Sequence, residues 1–337
     1  MKTILITGSQ GFIGTYLCKE FLSLGYRVIG IDNYSKYGPV DRPHDNHENF
    51  VFYEMDAVDM QRDSLPDVFA EVDYIIACAA MIGGISYFHK YAYDLLAQNE
   101  RILASTFDLA IHLHKNNNLK RILVLSSSMV FEKTDVYPTP ESEIENCPPP
   151  LSTYGFQKLS CEYFCKGAYE QYGLPYTIVR PFNCVGVGEE EAIGEHEIKS
   201  GNISLMLSHV LPDLINKILK GQSPLHILGG GNQVRCYTNG KDIARGIRMA
   251  LLHPDAENED FNISTPTATT VLELAQEIWK ELKPSEPFEY TSDDPYEYDV
   301  QKRIPDVSKA EKILGFKATI GLQESIKEVI LYMRKKE

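Results

Sequence analysis

The 337 residues lack any apolar run long enough to cross a membrane: the longest, at 75–81 and 122–125, fall far short of the roughly 20 residues a spanning helix needs. Met1 is followed at once by Lys2 and a strand-like run rather than by a leader with a small-residue cleavage site, so the expected location is cytoplasmic. Net positive charge is also missing. Thirty-three Lys and Arg against 47 Asp and Glu leave −14, which repels nucleic acid from the molecule as a whole, and no basic run is interleaved with aromatics. An anionic small ligand would have to be met by a few locally placed arginines. Cysteines are odd in number and scattered, at Cys18, Cys78, Cys147, Cys161, Cys165, Cys184 and Cys236, which argues against a disulfide framework. Cys161 and Cys165 share a helix face without further ligands to complete a metal site, so the expectation is buried thiols and no metal. Internal repeats and low-complexity tracts are absent as well.

Apolar side chains make up 43% of the chain, enough for a large core. Short, continuous β-branched runs at 3–7, 27–31, 50–53, 74–78, 121–126 and 176–180 alternate with helix-length segments. Continuous rather than alternating apolar runs indicate strands covered on both faces, hence an α/β fold with a Rossmann-like, doubly wound parallel sheet. After Pro181 comes an acidic, glycine-containing stretch at 185–202 that reads as a loop. Helical patterns resume at 205–220, 241–252, 271–282 and 323–334, with short strands at 225–228 and 261–263. The expected division is a dinucleotide-binding domain at 1–183, to which 236–263 returns, and a smaller α/β substrate-binding lobe formed by 184–235 and 264–337.

Gly8, Gly11 and Gly14 stand where the first strand meets a helix, in Ile4-Leu5-Ile6-Thr7-Gly8-Ser9-Gln10-Gly11-Phe12-Ile13-Gly14. Glycines there permit the tight turn, close approach of backbone to a pyrophosphate, and tight helix-strand packing, with Phe12 and Ile13 at the same contact. The second strand ends in Asp32, followed by Asn33, about 20 residues past the glycine turn, where a carboxylate accepts from both adenosine ribose hydroxyls and repels a 2′-phosphate. NAD is therefore favoured over NADP. The third strand runs into Met55-Asp56-Ala57, where Asp56 reads as a partner of the adenine amino group or as a helix cap. The fourth runs into Ala77-Cys78-Ala79-Ala80, whose small side chains leave room for a cofactor.

The fifth strand ends in Ser126-Ser127-Ser128-Met129-Val130, and Tyr154-Gly155-Phe156-Gln157-Lys158 follows. Tyr-x-x-x-Lys puts both side chains on one helix face. An ammonium beside a phenol favours the phenolate, so Tyr154 can act as a general base, with a strand-end serine sharing the substrate proton. Together with the glycine turn and Asp32, in this order, these residues resemble the extended short-chain dehydrogenase/reductase family, which includes UDP-galactose 4-epimerase and related nucleotide-sugar enzymes. The resemblance runs from Thr3 to about Arg334. It implies a catalytic hydroxyl on Ser127, counting back from Val130, with Ser128 beside the substrate. It also implies that Lys158 bonds the nicotinamide ribose and that Asn99 lies behind the site. Phe131-Glu132 departs from the family's Tyr-Gly.

On the substrate side, Asn183 after the sixth strand, Arg235 after the Gly229-Gly230-Gly231 turn, and Arg303 ahead of a helix capped near Asp306 or Ser308 resemble the family's contacts to a nucleotide diphosphate sugar. Dehydratases of the family follow their catalytic hydroxyl with an Asp-Glu pair; here Ser128 and Met129 stand there. Decarboxylases use a glutamate near this point, and 3,5-epimerases a cysteine where Met129 stands. The implied reaction is 4-epimerisation through a keto sugar, with Gly83, Gly84 and Met129 compatible with a roomy pocket. A dehydrogenase or ketoreductase would carry the same residues, and a dinucleotide-binding regulator without turnover is a further alternative. Relatives of this kind commonly dimerise through two helices, which implies a homodimer through 91–116 and 154–172.

Overall fold

The computed structural model describes residues 1–60, 65–82, 90–189, 192, 199–200, 202–204, 209–294 and 300–336. Seven parallel strands form the central sheet: β1 (Thr3–Thr7), β2 (Arg27–Asp32), β3 (Phe50–Glu54), β4 (Tyr74–Ala77), β5 (Arg121–Leu125), β6 (Tyr176–Pro181) and β7 (Glu259–Ile263). Their order across the sheet is β7-β6-β5-β4-β1-β2-β3. The expected doubly wound sheet is present, and its order reverses between β1 and β4, the crevice where such sheets bind ligands. The strands at its centre are sealed on both faces, as their unbroken apolar runs demand: Ile4, Leu5, Ile6, Ile75, Ile76, Ile122 and Leu123 are fully buried.

Seven α-helices are described: α1 (Phe12–Ser23), α2 (Ala92–Asn116), α3 (Thr153–Tyr172), α4 (Val210–Leu219), α5 (Gly240–Leu252), α6 (Val271–Leu282) and α7 (Leu322–Arg334). One sheet face packs on α1 and α5, where Ala310, Leu314 and Phe316 also lodge. The opposite face packs on α2 and α3 through Leu103, Phe107, Cys161 and Cys165. A third core gathers α4, α6, α7 and the strand Leu225–Leu228 around Leu214, Leu274, Trp279 and Ile326. Two-residue strands link this body to the sheet side, Cys184–Val185 pairing with Thr238–Asn239. The expected loop at 185–202 includes Lys199–Ser200, which pairs antiparallel with Ile203–Ser204; residues 190, 191, 193–198 and 201 lie outside the described set. On the two helices expected to make a dimer contact, Tyr93, Phe156 and Tyr163 stand exposed. Among the described residues no helix is long and apolar enough to cross a membrane.

Beside β3, His44 is 2% exposed, its ring edge-on to Phe50, and neither ring nitrogen has a hydrogen bond among the described residues. An Asp45 carboxylate oxygen stands 3.8 Å away, beyond bonding range. Burial, opposed by Asp45, pushes the imidazole down to about 4. Because this value lies below the unfolded one of about 6.5, the native state is favoured above pH 6.5 and loses stability as pH falls toward 4, by up to about 3 kcal/mol. Urea unfolding at pH 7 and pH 4.5 should therefore show a smaller acid loss in His44→Leu than in the wild type. Equal losses would refute the assignment.

Candidate active site

The crevice begins at the glycine turn. Gly8 adopts φ +72°, and its amide donates to Ile31 O at 2.7 Å, tying the turn to the end of β2. A Cβ on Gly8 would meet Ala79 Cα at 2.9 Å, and one on Gly14 would come within 2.0 Å of Gly8 O. Neither position tolerates a side chain, because β1, β4 and α1 converge there. The Thr7 hydroxyl accepts from the amides of Cys78 and Ala79 at 3.1 and 3.0 Å, fixing the exit of β4. Helix α1 starts at Phe12 and Ile13, behind Gly11, with no side-chain cap and no acid in its first turn. Its leading amides therefore lack intrahelical partners and face the crevice side of the turn with the positive end of the helix dipole.

At the tip of β2, Asp32 accepts from the Tyr34 amide at 2.8 Å and the Gln10 amide at 3.0 Å. Burial raises its carboxyl above the usual aspartate value, and those two amide bonds and Arg42 hold it back. Asn33 Nδ2 donates to Asp56 Oδ2 at 3.0 Å. Asp56 also accepts from the Val58 amide, so it caps the short turn that opens with Ala57 while standing beside Asp32's loop. Of the two readings open in the sequence for Asp56, the structure shows the cap; the side chain also sits at the strand ends with Asp32 and Asn33.

Asn99 is buried rather than set on a solvated helix face. Its amide clasps the Met81 backbone, accepting from N at 2.6 Å and donating to O at 3.0 Å, which holds the chain leaving β4. Ala79, Asn99 and Lys158 line one small cavity. Lys158 Nζ donates to Leu125 O at 2.9 Å and lies 6.0 Å from the centre of the Tyr154 ring. Ser127 Oγ accepts from the Met129 amide at 3.2 Å and caps the short turn Ser128–Phe131. Tyr154 packs with Leu95, Met129 and Val300, so the serine turn, the tyrosine helix and the segment at 300 meet at one point.

From Val300 the chain runs beside the strand Val234–Arg235. The Val234 amide donates to Gln301 O at 2.8 Å, and the Arg303 amide donates to Val234 O at 3.0 Å. Arg235 Nη1 donates to Val234 O at 2.9 Å. The two arginines, 68 positions apart in the chain, are thereby neighbours, and the buried phenol of Tyr237 feels both charges while burial raises its pKa. Asn183 holds φ +40°, its carbonyl accepts from the Thr238 amide, and its Oδ1 is buried with no partner among the described residues. Gly83 and Gly84 lie outside the described residues.

Three features escaped the sequence reading. Glu162, one turn beyond Lys158, holds Ser126 Oγ at 2.6 Å and pairs doubly with Arg180. Arg180 in turn lies 5.0 Å from the ring of Phe131, which accounts for an aromatic there without a hydroxyl. Glu132 binds Ser152 at the head of α3. Glu162 falls on the same helix face as Lys158, Cys161 and Cys165, and Arg180 stands near the end of an apolar strand, and those positions were the available signal.

Comparison with known proteins places this arrangement. The model of the NAD dependent epimerase/dehydratase family matches residues 4–264. A putative UDP-glucose 4-epimerase of Methanocaldococcus jannaschii is 30% identical over 331 residues, covering 98% of each chain. UDP-glucuronic acid decarboxylase 1 of Danio rerio is 26% identical, over 98% of this chain and 72% of its own length. Among solved structures, the UDP-glucose 4-epimerase of Thermotoga maritima with UDP-glucose superposes with a TM-score of 0.81 at 28% identity, covering 99% of each chain. With its family model spanning both the glycine turn and the tyrosine helix, and a relative alike along nearly all its length, the chain belongs to the NAD dependent epimerase/dehydratase family.

Proposed function

We propose that the chain epimerises a nucleotide diphosphate sugar at C4. The observation that carries this reading is Met129, packed with Tyr154, Leu95 and Val300 at the place where eliminating or decarboxylating enzymes of the resembling family carry an additional acid or base. The relatives include both 4-epimerases and decarboxylases, and Met129 favours the former.

The residues present fit NAD. The uncapped start of α1 suits a diphosphate, and a Cβ on Gly8 or Gly14 would collide with backbone in the bend that shapes that site. Gly8, Gly11, Phe12, Ile13 and Gly14 would hold the diphosphate, Asp32 and Asn33 the adenosine ribose, Asp56 and Ala57 the adenine edge, and Ala79, Asn99 and Lys158 the nicotinamide end. Asp32 spends one lone pair of each oxygen on a backbone amide, which fixes the carboxylate and leaves acceptors for two hydroxyls. NAD, when bound, supplies a reversible hydride acceptor.

Tyr154, one helical turn from Lys158, takes the C4 hydroxyl proton, and Ser127 shares that proton. The same phenol returns the proton after the sugar has turned over. Turning requires a sugar held loosely by a diphosphate held firmly. Arg235 and Arg303, adjacent through the Val234 backbone, and Asn183, whose side-chain Nδ2 can donate to a phosphate oxygen, supply the firm end. Ser128 borders the loose one. In this reading residues 184–235 and 264–337 carry the nucleotide sugar, and 1–183 with 236–263 carry the cofactor.

Purified protein incubated with UDP-, GDP-, CDP- and dTDP-sugars, UDP-glucuronate included, should give C4 epimers by NMR without net NADH absorbance. Stoichiometric NADH, a stable keto sugar or released carbon dioxide would replace the reading with dehydrogenase, dehydratase or decarboxylase.

A further inference from the structure

We propose that Glu132 is a positioning residue that locks the tyrosine helix onto the serine turn, an inference that rests on the reading of Tyr154 as the base. Glu132 immediately follows the short turn that Ser127 caps, its amide donating to Met129 O at 3.2 Å. Its Oε2 accepts from both the amide and the hydroxyl of Ser152, each at 3.0 Å. Ser152 is the N-cap of α3: its Oγ accepts from the Gly155 amide at 3.0 Å and its carbonyl from the Phe156 amide at 3.0 Å. A chain of four short bonds thus runs from the end of the serine turn to the first turn of the helix, with Tyr154 between the capping serine and the capped amide. Each bond that ends on the carboxylate is charge-assisted, and the anion stands at the positive end of the α3 dipole.

The seat is tight as well as bonded. A Cβ on Gly155 would meet Pro150 Cβ at 2.6 Å, Met129 O at 2.8 Å and Glu132 Oε2 at 3.1 Å. The first helical turn therefore has no room to slide along the serine turn, and Glu132 supplies the polar side of that grip. The other carboxylate oxygen, Oε1, is buried with no partner among the described residues. Leaving such an oxygen unmet works against folding stability. A glycine is usual at this place in the resembling family, so this chain carries an anchor for α3 where the common pattern has none. Proton transfer between the C4 hydroxyl, Ser127 and Tyr154 depends on the separation of turn and helix, and a displacement of about 1 Å costs on the order of 100-fold in rate.

The test uses the full-length protein and the sugar nucleotide it turns over. Glu132→Ala should lower kcat by about 10- to 100-fold with KM changed by less than about threefold and bound NAD unchanged. Glu132→Gln, whose amide oxygen can still accept both Ser152 donors, should recover most of kcat. Ser152→Ala should lose a similar amount, and the double variant should be no slower than the worse single one, because both act through one path. An Ala variant with wild-type kcat, or a double variant whose losses multiply, overturns the inference and leaves the epimerase reading standing. Should Glu132→Ala fail to fold, Ser152→Ala decides the matter by the same kcat criterion. If the wild type turns over no sugar nucleotide, the epimerase reading fails instead. Hydrogen exchange at the Gly155 amide then tests the anchor: protection should fall in Glu132→Ala and be kept in Glu132→Gln, and unchanged protection in Glu132→Ala overturns it.

Discussion

Tyr154→Phe is expected to lower kcat by about 10³-fold, within the range a positioned general base supplies, while the protein keeps its fold and its bound NAD. The substitution removes one oxygen and nothing else. Phenylalanine preserves the ring that packs with Leu95, Met129 and Val300, so the apolar cluster at the meeting of serine turn, helix and the segment at 300 stays filled. Lys158 keeps its bond to Leu125 O, and the glycine turn, Asp32 and Asn99 are untouched. What is lost is the phenol one helical turn from Lys158, and with it, in the proposed epimerisation, the group that moves the C4 proton in both half-reactions. The measurement pairs initial rates of epimer formation with the NAD content of the purified variant and its melting temperature. Activity within a few-fold of wild type, with the fold intact, would take Tyr154 out of the chemistry. Loss of NAD or of the melt together with activity would reassign the phenol to structure.

Much of this frame can be read from the sequence because it is written in local terms. The continuous β-branched runs give the first six strands to within about two residues at their ends, since a strand sealed on both faces needs no alternation. The glycine triplet and Tyr-x-x-x-Lys are likewise short-range patterns whose spacing dictates geometry. The illegible parts depend on partners far along the chain. Asn99, within the polar run Gln98-Asn99-Glu100-Arg101, reads equally as a residue on a solvated helix face, yet it is buried because the backbone it clasps, at Met81, arrives from the end of β4. The pairing of Cys184–Val185 with Thr238–Asn239 spans too few residues to leave any period. Arg235 and Arg303 carry no sequence sign of adjacency; it comes from backbone bonds between the strand at Val234 and the segment at Gln301. Glu132 reads as a departure from a pattern, and only the position of Ser152 reveals what the departure does.

Arg180 marks the limit of that reading most clearly, and it carries the largest stability effect expected of a single substitution. Its flanking residues resemble a substrate-contacting segment, but its guanidinium is 1% exposed and enclosed by carboxylates. Glu162 accepts from Nε at 2.8 Å and from Nη2 at 2.7 Å, and Asp260 Oδ2 lies 2.7 Å from Nη1. Lys309 closes the outer side, 2.6 Å from Asp260 and 2.8 Å from Glu259. Burial weighs against the charges of Arg180, Asp260 and Lys309. The carboxylates nonetheless raise the pKa of Arg180, and Arg180 with Lys309 holds the Asp260 carboxyl below its usual value. Removing one member strands its partner: Glu162→Ala is expected to cost about 3–5 kcal/mol by leaving Arg180 half-paired in the core, a large share of the roughly 5–15 kcal/mol that holds a domain together. Ser126, which donates to Glu162 at 2.6 Å directly ahead of Ser127, loses its anchor in the same step, so activity should fall in whatever fraction stays folded. Replacing both charges, as in Glu162→Leu with Arg180→Met, removes the stranded guanidinium and should recover stability relative to Glu162→Ala, although it leaves Asp260 to Lys309 alone. Urea unfolding of the three proteins decides between a network that holds by charge pairing and one that merely fills space: a double variant less stable than Glu162→Ala would show that the pair is not what makes the single loss so large.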